Sequence, residues 1–98
     1  MEYILSPSNF FLEQVEELSD KAKRILDNKL IILKENPFHF KRIEGHNLFI
    51  FRIRFEDGQK EKRLIYLVDK PKVFLLCILD RDKEYKDLKK YLRKLGYK

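Results

Sequence analysis

The chain has 98 residues, 22 Lys+Arg against 16 Asp+Glu and a net charge of +6, which is the size of one compact domain and excludes a multi-domain enzyme. With 44% hydrophobic and 39% charged residues it is too apolar to read as disordered. A chain this short buries only about 60–65% of its unfolded surface, so no deep cavity for a large cofactor is expected and any chemistry belongs on an exposed face of the fold.

The single cysteine, Cys77, lies in the apolar run Val73-Phe74-Leu75-Leu76-Cys77-Ile78-Leu79. An internal disulfide is therefore impossible, and a thiolate zinc cluster has no ligands to build on. No apolar stretch approaches the ~20 residues that span a bilayer, and Met1-Glu2-Tyr3 opens without a basic segment and apolar run of the secretory kind. A cytoplasmic, unprocessed protein with no membrane association is expected. The charge is uneven: residues 1–49 hold 7 Lys+Arg and 8 Asp+Glu, whereas residues 50–98 hold 15 and 8. A basic excess confined to one half of a domain is the electrostatic footprint of a polyanion-binding surface.

In chain order, Tyr3-Ile4-Leu5 reads as a short strand stopped by Ser6-Pro7-Ser8, whose serines offer a helix N-cap. Phe11, Val15 and Leu18 then recur at spacings of four and three, with Glu13, Glu16 and Glu17 between them, which predicts an amphipathic helix. Ser19-Asp20 ends it and caps a second helix carrying Ala22, Leu26, Leu30 and Leu33 on one stripe. That helix stops at Asn36-Pro37, because the residue before a proline leaves the α region. From Leu48 to Phe55 the period changes to two. Phe49, Phe51, Ile53 and Phe55 share one face, and Leu48, Ile50, Arg52 and Arg54 the other. Asp57-Gly58 supplies turn chemistry, and 63–68 and 73–79 follow as two more strands around Asp69-Lys70-Pro71-Lys72. Tyr85, Leu88, Leu92 and Leu95 return to helical period, ending at Gly96. The expected fold is one α+β domain over residues 1–98, in the order β-α-α-β-β-β-α: an antiparallel sheet packed against an N-terminal helical hairpin, with a C-terminal helix.

His39 and His46 stand in the connecting region without the spacing of a metal pair, and Gly45, Gly58 and Gly96 are too dispersed for a phosphate loop. No cofactor and no metal are expected. What remains is an arginine array. Arg52 and Arg54 share a strand face, Arg63 begins the next strand across the hairpin, and Arg81 follows the last strand with Tyr85 four residues on. Guanidinium forks grip phosphate oxygens, and a tyrosine ring is a stacking platform for an unpaired base. Read as structure alone, Arg52 and Arg54 are the solvent side of a half-exposed strand, salt-bridged to Glu56, Glu61 or the terminal helix, and Tyr85 is a core or rim contact of its helix.

The strand-helix-helix opening, then Arg42-Ile43-Glu44-Gly45, Phe51-Arg52-Ile53-Arg54, Lys62-Arg63-Leu64-Ile65-Tyr66 and Leu79-Asp80-Arg81-Asp82-Lys83-Glu84-Tyr85, resembles the RelE/ParE toxin superfamily over nearly the whole chain. The resemblance implies a RelE-like toxin of a toxin–antitoxin system: a metal-independent endoribonuclease that enters the ribosome, cuts the translated mRNA and is blocked by a small RelB-like antitoxin. It further implies that Arg52 and Arg54 hold the scissile phosphate and the 2′-oxygen, and that Arg63 stabilises the transition state. Arg81 then stands beside the leaving oxygen, and Tyr85 stacks on a base. The implied reaction is 2′-OH attack on the adjacent phosphate. Two departures stand out: arginines replace the lysines of RelE, which leaves the general base unassigned, and the segment between Arg54 and Arg63 is longer than the family's tight turn. A ParE-like inhibitor of DNA gyrase and a plain RNA-binding domain are the alternative readings.

Overall fold

Both helices begin where a serine can accept from the first turn. The computed structural model describes residues 2–44 and 48–80 and, from the last segment, Leu88, Leu92 and Arg93. Its elements are β1 (Ile4–Pro7), α1 (Asn9–Glu16), α2 (Asp20–Glu35), β2 (Lys41–Arg42), β3 (Phe49–Asp57), β4 (Lys60–Asp69) and β5 (Lys72–Asp80). Ser8 Oγ accepts from Phe11 N at 3.0 Å and Ser19 Oγ from Ala22 N at 3.1 Å, each satisfying one of the orphan donors of a helix start. At the other end of α2, Asn36 N donates back to Ile32 O at 2.9 Å before Pro37 stops the helix. Leu88, Leu92 and Arg93 are helical, with both leucines buried, as the expected final helix requires; its other residues lie outside the described ones.

The five strands form one sheet in the order β1-β5-β4-β3-β2. The meander β3-β4-β5 is antiparallel as expected, but the sheet as a whole is mixed, because β1 pairs parallel with β5 through Ile4↔Lys72 to Pro7↔Leu75. A strand separated from its neighbour by the helical hairpin and three further strands can arrive in either direction, and the short Tyr3-Ile4-Leu5 run carries no mark of which. The two-residue β2, opposite Arg52 and Phe51 of β3, is too short to show a period and was not among the expected strands.

Between β3 and β4 the turn is tight, with the strands longer than their alternation suggested. Asp57 pairs with Lys60 and only Gly58 and Gln59 lie between. Gly58 has φ +64 and, among the described residues, no non-glycine residue has a positive φ, the pattern of a type II′ hairpin, in which glycine takes the first central position. The added length from Arg54 to Arg63 is thus absorbed in paired strand, and the two arginines face each other in register.

The sheet is apolar on both faces. Phe51, Ile53, Phe55, Leu64, Tyr66, Val73 and Ile78 pack with Phe11, Ala22, Leu26 and Leu33 of the helices, while Ile50, Ile65, Leu67, Leu76 and Cys77 pack on the other face with Leu88 and Leu92. A β-bulge decides which residues of β5 take each face. Ile65 pairs with Cys77 and Tyr66 with Leu75, so Leu76 is an extra residue and reverses the alternation beyond it. At the centre Phe51 stacks on Tyr66 at 5.4 Å, and the Tyr66 hydroxyl donates to Pro37 O at 2.6 Å, tying the end of α2 to the sheet.

β1 covers only half of the β5 edge, and side chains complete it. The Ser8 hydroxyl donates to Leu76 O at 2.8 Å. The Gln14 carboxamide takes both groups of Ile78, donating to its carbonyl at 2.7 Å and accepting from its N–H at 2.6 Å. Gln14 thereby does what one residue of a neighbouring strand would do. Gln14→Ala strands a backbone donor and acceptor, and we expect it to cost about 1–3 kcal/mol in urea unfolding with an unchanged m-value; stability within a few tenths of wild type would show that water replaces the carboxamide.

Burial also fixes the protonation of two groups. It pushes the Cys77 thiol up from 9.0 to about 12 and raises the Tyr66 phenol as well. The folded state therefore keeps protons that the unfolded chain releases, so the stability is fully present below about pH 9 and declines as the pH climbs towards 12. The urea midpoint should fall between neutral pH and about pH 10.5, and Cys77 should react with a thiol reagent only on unfolding; prompt labelling of the native protein would contradict this burial.

Candidate functional site

The arginines expected to share a face do so because strand period two places them there. Along β3, Ile50, Arg52, Arg54 and Glu56 point away from the helical hairpin; along β4, Glu61, Arg63, Ile65 and Leu67 do the same. Arg54 stands directly opposite Arg63, and Arg52 opposite Lys41 of β2. Residues opposed in this way have Cβ atoms only about 4.5–5.5 Å apart, and like charges so placed are destabilising. Two cationic pairs therefore sit side by side on one face, offset by two residues of β3.

Their environments differ. The Arg63 side chain is only 14% exposed, and its Nη2 lies 4.0 Å from Glu61 Oε2. That carboxylate offsets part of the Arg63 charge, whereas the structural reading of the sequence pairs Glu61 with Arg52 or Arg54. Arg52 is half-buried and Arg54 exposed. Opposite Arg63 on the β5 side is Leu79, brought to this face by the bulge at Leu76. The array is thus a well-buried guanidinium against an apolar wall, flanked by more exposed cations. Arg81 and Tyr85, the other two predicted site residues, lie outside the described residues, as does His46. His39 is exposed, its ring edge-on to Phe40 at 5.0 Å.

Two residues join the array that sequence reasoning did not single out. Lys29 of α2 and Lys41 of β2 line, with Phe40, Arg52 and Arg54, a hollow of about 370 Å3 beside the edge of β3 that β2 leaves uncovered. Lys41 carried one signal, its place just ahead of the basic Arg42-Ile43-Glu44-Gly45 lead-in. Lys29 carried none, since it reaches the hollow only through the packing of α2 beside β3. The other nearby cations are engaged differently: Arg42 lies over the Phe49 ring at 4.8 Å and Lys70 over Phe38 at 5.5 Å, contacts that occupy them on aromatic faces.

A larger cleft of about 420 Å3 opens between α1 and the end of β5, lined by Phe10, Gln14, Leu18, Lys62, Ile78 and Asp80 among others. Gln14 is matched there to Ile78 and Lys62 Nζ to Asp80 Oδ1 at 2.8 Å, and the remaining charged lining, Glu17 and Asp57, is acidic, so size alone does not mark it as a phosphate site. Cys77 is buried with a raised pKa and has no nucleophilic character. Among the described residues no group of three His, Cys, Asp or Glu side chains is arranged to hold a metal ion.

The opposition of Arg54 and Arg63 has a measurable consequence. Arg54→Gln should raise the melting temperature at low ionic strength, and the gain should shrink as salt screens the pair. Melting curves that coincide at low salt would show that the two guanidiniums do not strain the sheet.

No protein-family model matches the sequence, and no curated protein matches it either. Solved structures do match by fold. A double-arginine mutant of the E. coli toxin RelE in the free state superposes with a TM-score of 0.77 at 19% identity, over 97% of this chain and 98% of that one. The intact E. coli RelBE toxin–antitoxin complex gives 0.72 at 20% identity, over 83% and 99%. A RelE mutant bound to an antitoxin RelB peptide gives 0.69 at 19%, over 100% and 97%. Order, sheet and helical hairpin agree throughout: the chain has the fold of the RelE-like toxins.

Proposed function

We propose that the protein is a RelE-like toxin, an mRNA endoribonuclease acting on the ribosome and restrained by a small RelB-like antitoxin, in the cytoplasm. The observation that carries this reading is the Arg54–Arg63 opposition, with the Arg63 side chain only 14% exposed. A cation held at low dielectric beside an open face is placed to stabilise charge that develops on an incoming phosphate. The fold agreement with RelE, alone and with its antitoxin, supports the same reading.

The chemistry asks little else of the protein. A ribose 2′-oxygen attacks the neighbouring phosphorus as its proton leaves, and the P–O5′ bond breaks opposite it. The 5′-oxygen takes up a proton, and the products are a 2′,3′-cyclic phosphate and a 5′-hydroxyl. In this scheme Arg52 and Arg54 hold the phosphate and the attacking oxygen in line, and Arg63 stabilises the crowded pentacovalent state. Arg81 neutralises the leaving oxygen and Tyr85 stacks on a flanking base. Arginines stay protonated at all physiological pH, so they act here as cations only, and the proton acceptor is a different group.

Purified protein added to ribosomes paused on a defined message should cut it within the codon being read and leave a 2′,3′-cyclic phosphate. Arg63→Ala should slow cleavage by about 10²–10³-fold, as loss of one pre-placed charge-stabilising donor does, while leaving the fold intact. Intact messages under these conditions would remove the nuclease reading. Induction of DNA damage by the toxin, unaffected by Arg63→Ala, would replace it with gyrase inhibition.

A further inference from the structure

The basic surface does not end at the arginines of the antiparallel face. It turns round the uncovered edge of β3 into the hollow lined by Lys29, Phe40, Lys41, Arg52 and Arg54. Four of those five side chains are cations. Among the described residues no carboxylate pairs with Lys29, Lys41 or Arg54. Three other basic groups are matched: Lys34 lies 3.9 Å from Glu2, Lys62 pairs with Asp80 and Arg63 with Glu61. Concentrating cations from a helix and two strands around one hollow raises the energy of the unliganded fold, and an anion with several charges removes that cost.

The fifth lining residue sets the kind of anion. Phe40 is half-buried, its inner side packed on the hairpin core and its ring edge-on to His39, so it is fixed where it borders the hollow. A fixed aromatic surface beside cations serves a base beside its phosphate, whereas an inorganic anion or an acidic peptide has no use for the ring. Arg52 and Arg54, two residues apart on β3, are separated by about 6.8 Å along the strand, a spacing comparable to successive phosphates of an extended single strand.

We infer that this hollow is a second RNA subsite, in which Lys29 and Lys41 grip a phosphodiester adjoining the one held on the arginine face and Phe40 supports its base. The inference rests on the endoribonuclease reading for the identity of the strand, and it adds Lys29, Lys41 and Phe40 as residues that position RNA without touching the reacting atoms.

Binding of a fluorescently labelled short oligouridylate to the full chain, followed by anisotropy across a salt series, tests it without any cleavage step. Each cation that neutralises a phosphate of a single strand contributes about 0.7 to the slope of log affinity against log salt. Lys29→Gln with Lys41→Gln should therefore lower the slope by about 0.7, the share of one phosphate, whereas Lys34→Gln, on the same helix but paired with Glu2 and outside the hollow, should leave it unchanged. Phe40→Leu should weaken binding roughly 5- to 100-fold at an unchanged slope, the signature of a lost stacking surface. An unchanged slope in the double variant, no measurable binding by the wild-type chain, or heparin binding equally well with no contribution from Phe40 would each overturn the subsite. The ribosomal assay separates the two proposals. Oligonucleotide binding that depends on Lys29 and Lys41 while messages stay intact keeps the subsite and discards the nuclease. Cleavage indifferent to both lysines does the reverse.

Discussion

A sheet that is apolar on both faces has to be covered twice, and the rest of this molecule follows from that requirement. The helical hairpin takes one face through Phe11, Ala22, Leu26 and Leu33, and the other face meets Leu88 and Leu92. Burial of this kind, at about 25 cal/mol per Å2 of apolar surface, is what holds a chain of 98 residues folded. The second face is apolar only over part of its extent. Ile50, Ile65, Leu67 and Cys77 are covered, whereas Arg52, Arg54 and Arg63 continue the same rows towards the β3–β4 turn. The cationic array is the part of an otherwise buried face where apolar side chains give way to charge, which is why a residue as polar as Arg63 is so little exposed there.

Much of this was legible because local chemistry and tertiary demand coincide. Ser8 and Ser19 are N-caps in the sequence and in space, Asn36-Pro37 ends α2 in both, and the two-residue period of Phe51, Ile53 and Phe55 is the pattern of their burial. The same period puts Arg52 and Arg54 on one face of the strand. Where the signal failed, it failed for stated reasons. β2 has two residues and so no period. The run from Val73 to Leu79 is apolar throughout, so nothing in it reveals that Leu76 is an extra residue or which way Leu79 points. Lys29 and Lys41 join the site only through contact between distant elements, and single-sequence periodicity does not report such contacts.

The bulge matters beyond its own pairing. Were Leu76 paired in regular alternation, Ile78 would leave the hairpin core and Leu79 would leave the face that it shares with Arg63. One inserted residue thus decides which apolar side chains of β5 serve each core and which of them stands as a low-dielectric wall beside a guanidinium. Position along the strand, rather than residue type, decides which side chains stand near the charge.

The sheet has one more edge to manage, the part of β5 that β1 does not reach. Open strand edges recruit other strands, including those of identical molecules. Here the edge is occupied by the protein's own Ser8 and Gln14. A carboxamide on one rotatable side chain is a removable guard, unlike a covalently continuous strand. It keeps isolated molecules from pairing edge to edge, and it leaves any approaching peptide to compete with a single glutamine for the Ile78 N–H and carbonyl rather than with a whole strand.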